Sequence, residues 1–91
     1  MVTKEIAVRN PNGLESKTIA AFIKRASQYK SSIWVEMGER KANAKSLLGL
    51  LALGIRDGSR INISADGEDE KAAVLELAGC IDSGWSGDTG T

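Results

Sequence analysis

The stretch SIWVEMGERKANAKSLLGLLALG, residues 32–54, contains the pattern that decides the fold. Its first part alternates between two faces, which predicts a half-buried strand whose core positions are Ile33, Val35 and Met37. Gly38-Glu39 then predicts a tight turn into a second short strand that runs through Asn43. The two strands therefore form a hairpin, and Trp34 falls on the face opposite the core.

The second part of the same stretch predicts a short helix from Leu47 to Leu53, with Ser46 before it and Gly54 after it. Serine is a good N-cap because its oxygen accepts a hydrogen bond from an amide that otherwise lacks a partner, and glycine commonly ends a helix. The leucines make this helix apolar almost all round, so a surplus of exposed leucine becomes a candidate contact surface. The alternative is that Leu50 and Leu53 are core and the others are merely tolerated.

Outward from this stretch, strands and helices alternate. Val2 to Val8 predicts a strand, and Ser16 to about Ser27 predicts a helix with one apolar stripe. Alternation across residues 60–65 predicts a fourth strand, and the residues behind the acidic run 68–70 predict a last helix. The order is βαββαβα. An α+β fold, with a four-stranded antiparallel sheet and three helices on one face, buries all the apolar stripes.

The composition predicts one small domain without metal or cofactor. The chain has 91 residues, of which 42% are hydrophobic and 26% charged, as in an average globular protein. We assign the domain to residues 1–82 and interpret residues 83–91, which include Trp85, as a flexible tail. A single cysteine, Cys80, and no histidine argue against a disulfide and a zinc site. Without an apolar run for a bilayer span or a signal peptide, the sequence predicts a cytoplasmic protein.

The net charge of zero hides an uneven distribution. Residues 1–65 hold eleven Lys and Arg against five Asp and Glu, whereas residues 66–91 hold one against seven. A basic face would meet an acidic protein surface or nucleic acid, and the candidates for it are Lys17, Lys24, Arg25, Lys30, Arg40, Lys41 and Lys45. The alternative is an ordinary solvated face. The neutral total and the four aromatic residues disfavour nucleic acid.

Two segments resemble the phosphocarrier family HPr. GLESKTIAAF, residues 13–22, resembles its active-site segment, and NAKSLLGLL, residues 43–51, resembles the regulatory-serine region of members from low-GC Gram-positive bacteria. With residues 31–33 and 65–70, the resemblance runs without a gap from about Val2 to Ile81. It implies the HPr-like βαββαβα open-faced sandwich. Within the family, the sequence is similar to the catabolite-repression HPr-like (Crh) subfamily, which also lacks the active-site histidine.

Glu15 occupies the position at which the family carries its phosphorylatable histidine. A histidine relay needs a neutral imidazole nitrogen as nucleophile, whereas a carboxylate would form a more labile acyl phosphate. Glu15 then either favours the dipole of a helix start or, as a second hypothesis, resembles a permanently charged phosphorylated state. Lys17 and Thr18 replace the family's arginine and proline, and lysine lacks the planar fork of arginine. Because no second catalytic group stands near, the sequence predicts no enzyme activity.

Ser46 has two interpretations. As an N-cap alone it would contribute about 1 kcal/mol to stability. A phosphoryl group on its hydroxyl would instead add roughly −1.5 to −2 charge at the positive end of a helix and create a new recognition feature. In the HPr and Crh families the serine at this position is the target of HPr kinase/phosphorylase. The resemblance therefore favours a phosphorylation switch at Ser46.

The resemblance also implies a partner-binding surface. In the family, the positions of Leu47, Leu48 and Leu51 belong to the hydrophobic patch that docks on phosphotransferase enzymes, on the kinase and on catabolite control protein A. That transcription regulator normally binds the family members in their phosphoserine form. The other predicted partner-binding residues are Glu15, Lys17, Ala20, Lys24, Lys45 and Ser46.

Together these interpretations predict a non-enzymatic regulatory protein of carbon catabolite repression. Its expected partners are HPr kinase/phosphorylase and a regulator of the catabolite control protein A type, with metabolic enzymes as further candidates. We expect no cofactor, no metal, and no direct contact with nucleic acid or membrane. One alternative is a phosphotransferase-system carrier that lacks its nucleophile. The other is an interaction module whose serine is never modified.

Overall fold

Strands and helices alternate along the part of the chain that the structure describes. The computed structural model describes residues 1–9 and 16–82, with side chains at residues 1–9 and 18–81. Its elements are β1 (Val2–Ala7), α1 (Ser16–Ala26), β2 (Ser32–Met37), β3 (Arg40–Asn43), α2 (Leu47–Leu53), β4 (Arg60–Asp66) and α3 (Glu70–Asp82). The predicted βαββαβα order is confirmed. The predicted tail at residues 83–91 lies outside the described residues.

The strands form one antiparallel sheet in the order β1-β4-β2-β3. The last strand, β4, lies between β1 and β2, and its register places Ile61 opposite Ile6. The β2–β3 hairpin closes with Met37 opposite Arg40, so that Gly38-Glu39 forms the predicted turn. The first strand, β1, therefore lies at one edge of the sheet and pairs with the last strand, β4.

The helices cover one face of this sheet. α3 packs on β1 and β4, α2 packs on β3, and α1 packs on both α2 and α3. The largest core side chains are at most 3% exposed and include Phe22, Ile33, Val35, Ile61, Ile63, Leu77 and Ile81. Trp34 lies on the opposite face, as predicted; it is half-buried, and the ammonium of Lys41 lies 4.8 Å from its ring centroid. Within the described residues, no helix combines the length and the apolar character that a membrane span requires.

A hydrogen-bonded ion pair joins α1 to α3. The guanidinium of Arg25 and the hydroxyl of Tyr29 both donate to the carboxylate of Glu76. These bonds, that of Tyr29 first, lower the pKa of Glu76, and the same bond raises the pKa of Tyr29 to about 12. Arg25 therefore stabilises the packing of the two helices.

A second link holds the α1–β2 loop against the start of α3. Asp69, the residue before α3, accepts hydrogen bonds from the amides of Lys30 at 2.8 Å and Ser31 at 3.0 Å, and from the hydroxyl of Ser31. These donors, the hydroxyl of Ser31 first, favour the ionised carboxylate and lower the pKa of Asp69 from its ordinary value of 3.8. Because Ser31 is only 1% exposed, solvent cannot easily replace Asp69 as its acceptor.

Replacing Asp69 by asparagine is expected to destabilise the fold at neutral pH. The side-chain NH2 group of asparagine would take the place of one carboxylate oxygen and would face a backbone N–H or a hydroxyl that also donates, so that hydrogen bond would be lost. In the natural protein, Asp69 contributes its full share to the free energy of unfolding above its ordinary pKa of 3.8. This contribution is lost as the pH falls through the lowered pKa of the folded protein. The loss of stability in Asp69→Asn should therefore shrink in acid. Urea unfolding of both proteins at about pH 7 and about pH 2.5 measures this difference.

The comparison of Asp69→Asn with the natural protein separates the effect of Asp69 from that of other carboxylates that titrate in the same pH range. Glu70 and Glu76 also have lowered pKa values, but they are present in both proteins and cancel in the difference. A difference in the free energy of unfolding that stays constant between the two pH values would contradict the assignment.

Candidate functional site

Ser46 lies at the start of α2, where its backbone is extended with φ −115° and ψ 115°. Its Oγ accepts a hydrogen bond from the amide of Gly49 at 3.2 Å, and its carbonyl accepts one from the amide of Leu50 at 3.0 Å. The predicted N-cap is therefore confirmed. The side chain is half-buried, and its bond to Gly49 uses an oxygen lone pair and leaves the hydroxyl hydrogen able to donate.

The short helix α2 divides its leucines between the core and the solvent. Leu50 and Leu53 are 2% and 3% exposed and pack on the sheet. Leu47, Leu48 and Leu51 are 39%, 80% and 41% exposed, and we call these three residues the leucine patch. The predicted surplus of exposed leucine is therefore present, and it begins at the residue after Ser46.

A shallow depression continues the leucine patch toward α1. Residues from both helices and the loop after α2 line it, namely Ile19, Leu50, Leu51, Gly54, Ile55 and Arg56. On α1 itself, the predicted partner-binding residues Ala20 and Lys24 are exposed and lie one turn apart. The surface that adjoins the leucine patch at Leu51 thus includes residues of two packed helices.

Two predicted site residues fall where the structure gives no side chain. Glu15 lies outside the described residues, and so does the side chain of Lys17. The helix α1 begins at Ser16, directly after Glu15 in the chain. The roles predicted for Glu15 and Lys17 therefore remain predictions.

The candidate basic face includes cations that make contacts within the molecule. Several of its described members are bound within the molecule: Arg25 to Glu76, Arg40 to the carbonyl of Ala52, Lys41 over Trp34, and Lys45 to the carbonyls of Tyr29 and Ser31. Long cationic side chains reach the nearest carbonyl, carboxylate or ring, and a count of charges along the chain cannot reveal those contacts. Lys24 and Lys30 are exposed, as expected.

The described site offers a hydroxyl and an apolar surface. Among residues 1–9 and 18–81, no group of three or more His, Cys, Asp or Glu side chains could hold a metal ion. The groups with a shifted pKa join elements of the fold or cap α3; they are Tyr29, Asp69, Glu70 and Glu76. At the start of α2, the hydroxyl of Ser46 therefore lies beside the exposed leucine patch.

A family model described as "PTS HPr component phosphorylation site" matches residues 2–83, nearly the whole chain. The chain belongs to the HPr family. The resemblance of the two motifs is thus confirmed, and the fold agrees with that of solved HPr structures. The crystal structure of HPr-C-His from Thermoanaerobacter tengcongensis has a TM-score of 0.88 and 38% identity, covering 93% of this chain and 96% of that chain.

Two kinds of HPr-family relative are similar to this chain. The HPr-like protein Crh of Bacillus subtilis is 35% identical over 81 residues, which cover 89% of this chain and 95% of the relative. Phosphocarrier protein HPr of Haemophilus influenzae is 41% identical over 81 residues, with the same coverage of 89% and 95%. Because both relatives align over almost their full length, the choice between a carrier and a regulator depends on the residues of the site.

Proposed function

We propose that this protein is a non-enzymatic regulator of the HPr family that acts in carbon catabolite repression. HPr kinase/phosphorylase phosphorylates Ser46, and the phosphorylated protein binds a transcription regulator of the catabolite control protein A type. Metabolic enzymes are further candidate partners. The protein acts in the cytoplasm, and it contacts neither nucleic acid nor membrane directly.

The observation that carries this proposal is the position of Ser46 beside the leucine patch. Its hydroxyl oxygen bonds to the amide of Gly49, while its hydrogen is able to donate to a base. Phosphorylation forms a bond between this oxygen and the γ-phosphorus of ATP, breaks the bond from that phosphorus to ADP, and transfers the hydroxyl proton to the kinase. The product adds roughly −1.5 to −2 charge at the border of an exposed apolar surface.

A phosphate in this place changes recognition without requiring a change of fold. The leucine patch supplies apolar contact area, and the phosphoryl oxygens supply an acceptor set that an arginine on a partner would recognise. Leu50 and Leu53, which anchor α2 to the core, face away from this surface. The unmodified and phosphorylated forms therefore present the same patch with a different charge beside it.

Two alternatives remain within the same family. Similarity to phosphocarrier protein HPr favours a phosphotransferase-system carrier, but the chain has no histidine to receive the phosphoryl group. The exposure of the leucine patch favours an interaction module that needs no modification. Dependence of binding on the phosphate separates this second alternative from the proposal.

Replacing Leu47 or Leu51 by glutamate is expected to weaken the complex between the phosphorylated protein and the regulator. Both side chains are about two-fifths exposed, at 39% and 41%, so a charge there is solvated in the free protein and desolvated in the complex. We expect a loss of about 2 kcal/mol, or roughly thirtyfold in the dissociation constant, as for a binding hot spot. Titration calorimetry measures the affinity, and thermal unfolding measures the stability.

Leu75 provides a matched control, because it is 65% exposed but lies on α3. Leu75→Glu should leave both the affinity and the melting temperature nearly unchanged, within about 2 °C. If Leu47→Glu and Leu51→Glu lower stability as much as they lower affinity, these leucines belong to the core and the patch is not a docking surface. Equal affinity of the phosphorylated and unmodified proteins would favour the interaction module.

A further inference from the structure

Lys45 has a different environment from the one that its sequence position suggests. Its side chain is half-buried, and its Nζ donates to the carbonyl of Tyr29 at 2.9 Å and to that of Ser31 at 3.1 Å. Two of its three donor positions are thus used within the molecule. An ammonium in this arrangement ties the segment before α2 to the α1–β2 loop.

Backbone hydrogen bonds hold the turn at Lys45 and Ser46, so the position of Lys45 affects the position of Ser46. The side-chain Oδ1 of Asn43 accepts a hydrogen bond from the amide of Lys45 at 2.8 Å. The backbone carbonyl of Asn43 accepts one from the amide of Ser46 at 3.0 Å. The amide of Ala44 donates to the carbonyl of Ile33 at 2.9 Å. A turn with so many fixed groups cannot move at Lys45 without moving Ser46.

The other end of the anchor is fixed as well. Ser31 is 1% exposed, and its amide and hydroxyl both donate to Asp69. One of the two carbonyls that accept from Lys45 therefore belongs to a residue held by Asp69, just before α3. Asp69, Ser31 and Lys45 form a continuous series of bonds that ends at the turn carrying Ser46.

We propose that Lys45 is a positioning residue for Ser46. It acts through the backbone and not as a cationic contact for the kinase or the regulator. The ammonium holds the turn so that the hydroxyl of Ser46 keeps its bond to Gly49 and faces the solvent in one orientation. This inference rests on the proposed phosphorylation of Ser46 and replaces the partner-binding role predicted for Lys45.

Lys45→Met tests the inference, with Lys24→Met as the matched control because Lys24 is an exposed lysine of the predicted partner surface. Misplacement of the hydroxyl should lower kcat for phosphorylation by HPr kinase/phosphorylase roughly tenfold or more while KM changes little. A lost charge contact would raise KM instead. Lys45→Arg, whose guanidinium can donate to both carbonyls, should recover most of kcat.

Amide hydrogen exchange gives a readout that does not depend on the kinase. The amide of Gly49 is bonded to the Oγ of Ser46, so its exchange should accelerate in Lys45→Met and not in Lys24→Met, while the amide of Ile63 in the central strand β4 serves as a reference for global stability. Recovery of slow exchange at Gly49 in Lys45→Arg is expected.

Unchanged exchange at Gly49, or a kinetic loss confined to KM and equal to that of Lys24→Met, would overturn the inference. Should the kinase leave the natural chain unmodified, the proposed function fails, and the exchange at Gly49 alone then decides whether Lys45 positions Ser46.

Discussion

The Gly67→Ala variant is expected to lose about 3 kcal/mol of stability and roughly 15 °C in melting temperature. Gly67 follows β4 and has a φ of 154°, a backbone conformation that residues with a side chain rarely adopt. A Cβ atom at this position would lie 2.6 Å from the Oγ and 2.7 Å from the Cα of Ser31. Ser31 cannot easily withdraw, because its amide and hydroxyl are bound to Asp69.

Gly38→Ala is the matched control for this prediction. Gly38 also has a positive φ, 62°, but a Cβ there would meet no heavy atom within 4 Å. Gly38→Ala should therefore lower the free energy of unfolding only by the strain of the backbone conformation, about 1 kcal/mol. Thermal and urea unfolding of both variants separate the two contributions. Equal losses would show that Ser31 yields to the added methyl group and that the loop is not held as described.

The natural chain is expected to accept no phosphoryl group from phosphoenolpyruvate through the general phosphotransferase enzyme. It contains no histidine, and Glu15 is predicted to stand at the position where the HPr family carries the phosphorylatable one. A carboxylate would have to form an acyl phosphate, and no neutral nitrogen is offered as a nucleophile. Intact mass after incubation with phosphoenolpyruvate and the enzyme measures the transfer.

Variants at the same segment make this prediction sharper. Glu15→His alone should restore transfer only poorly, because the ammonium of Lys17 positions the three phosphoryl oxygens less well than a guanidinium fork. Adding Lys17→Arg should raise the rate, and Thr18→Pro should help by pre-setting the backbone at the helix start. Efficient phosphorylation of the unmodified chain at any residue other than Ser46 would return the carrier function to first place.

Features set by local chemistry were predictable from the sequence. The alternation of Ile33, Val35 and Met37 indicated a half-buried strand, and Ser46 and Gly54 marked the two ends of α2. Such signals depend on neighbours within a few residues, where the spacing of a helix or strand fixes which side chains share a face. For the same reason the excess of leucine in α2 correctly indicated an exposed surface.

Contacts between segments distant in the chain were not predictable in this way. Asp69 belongs to the acidic run that preceded the predicted last helix, but no pattern indicated that its carboxylate binds the amides of Lys30 and Ser31, almost forty positions earlier in the chain. Lys45 was predicted to bind a partner, and nothing in its sequence position indicated that its ammonium reaches the carbonyls of that same loop. Neither contact has a sequence period, because each exists only after the sheet has brought the α1–β2 loop beside α2 and α3.

Intact mass after incubation with HPr kinase/phosphorylase and ATP tests the proposed switch most directly. The kinase is first shown to be active on an HPr that it is known to phosphorylate. We predict that the natural chain gains the mass of one phosphoryl group and that Ser46→Ala, with an unchanged circular dichroism spectrum, gains none. Recovery of the natural chain without added mass, or of Ser46→Ala with a full phosphoryl group, would contradict regulation through Ser46.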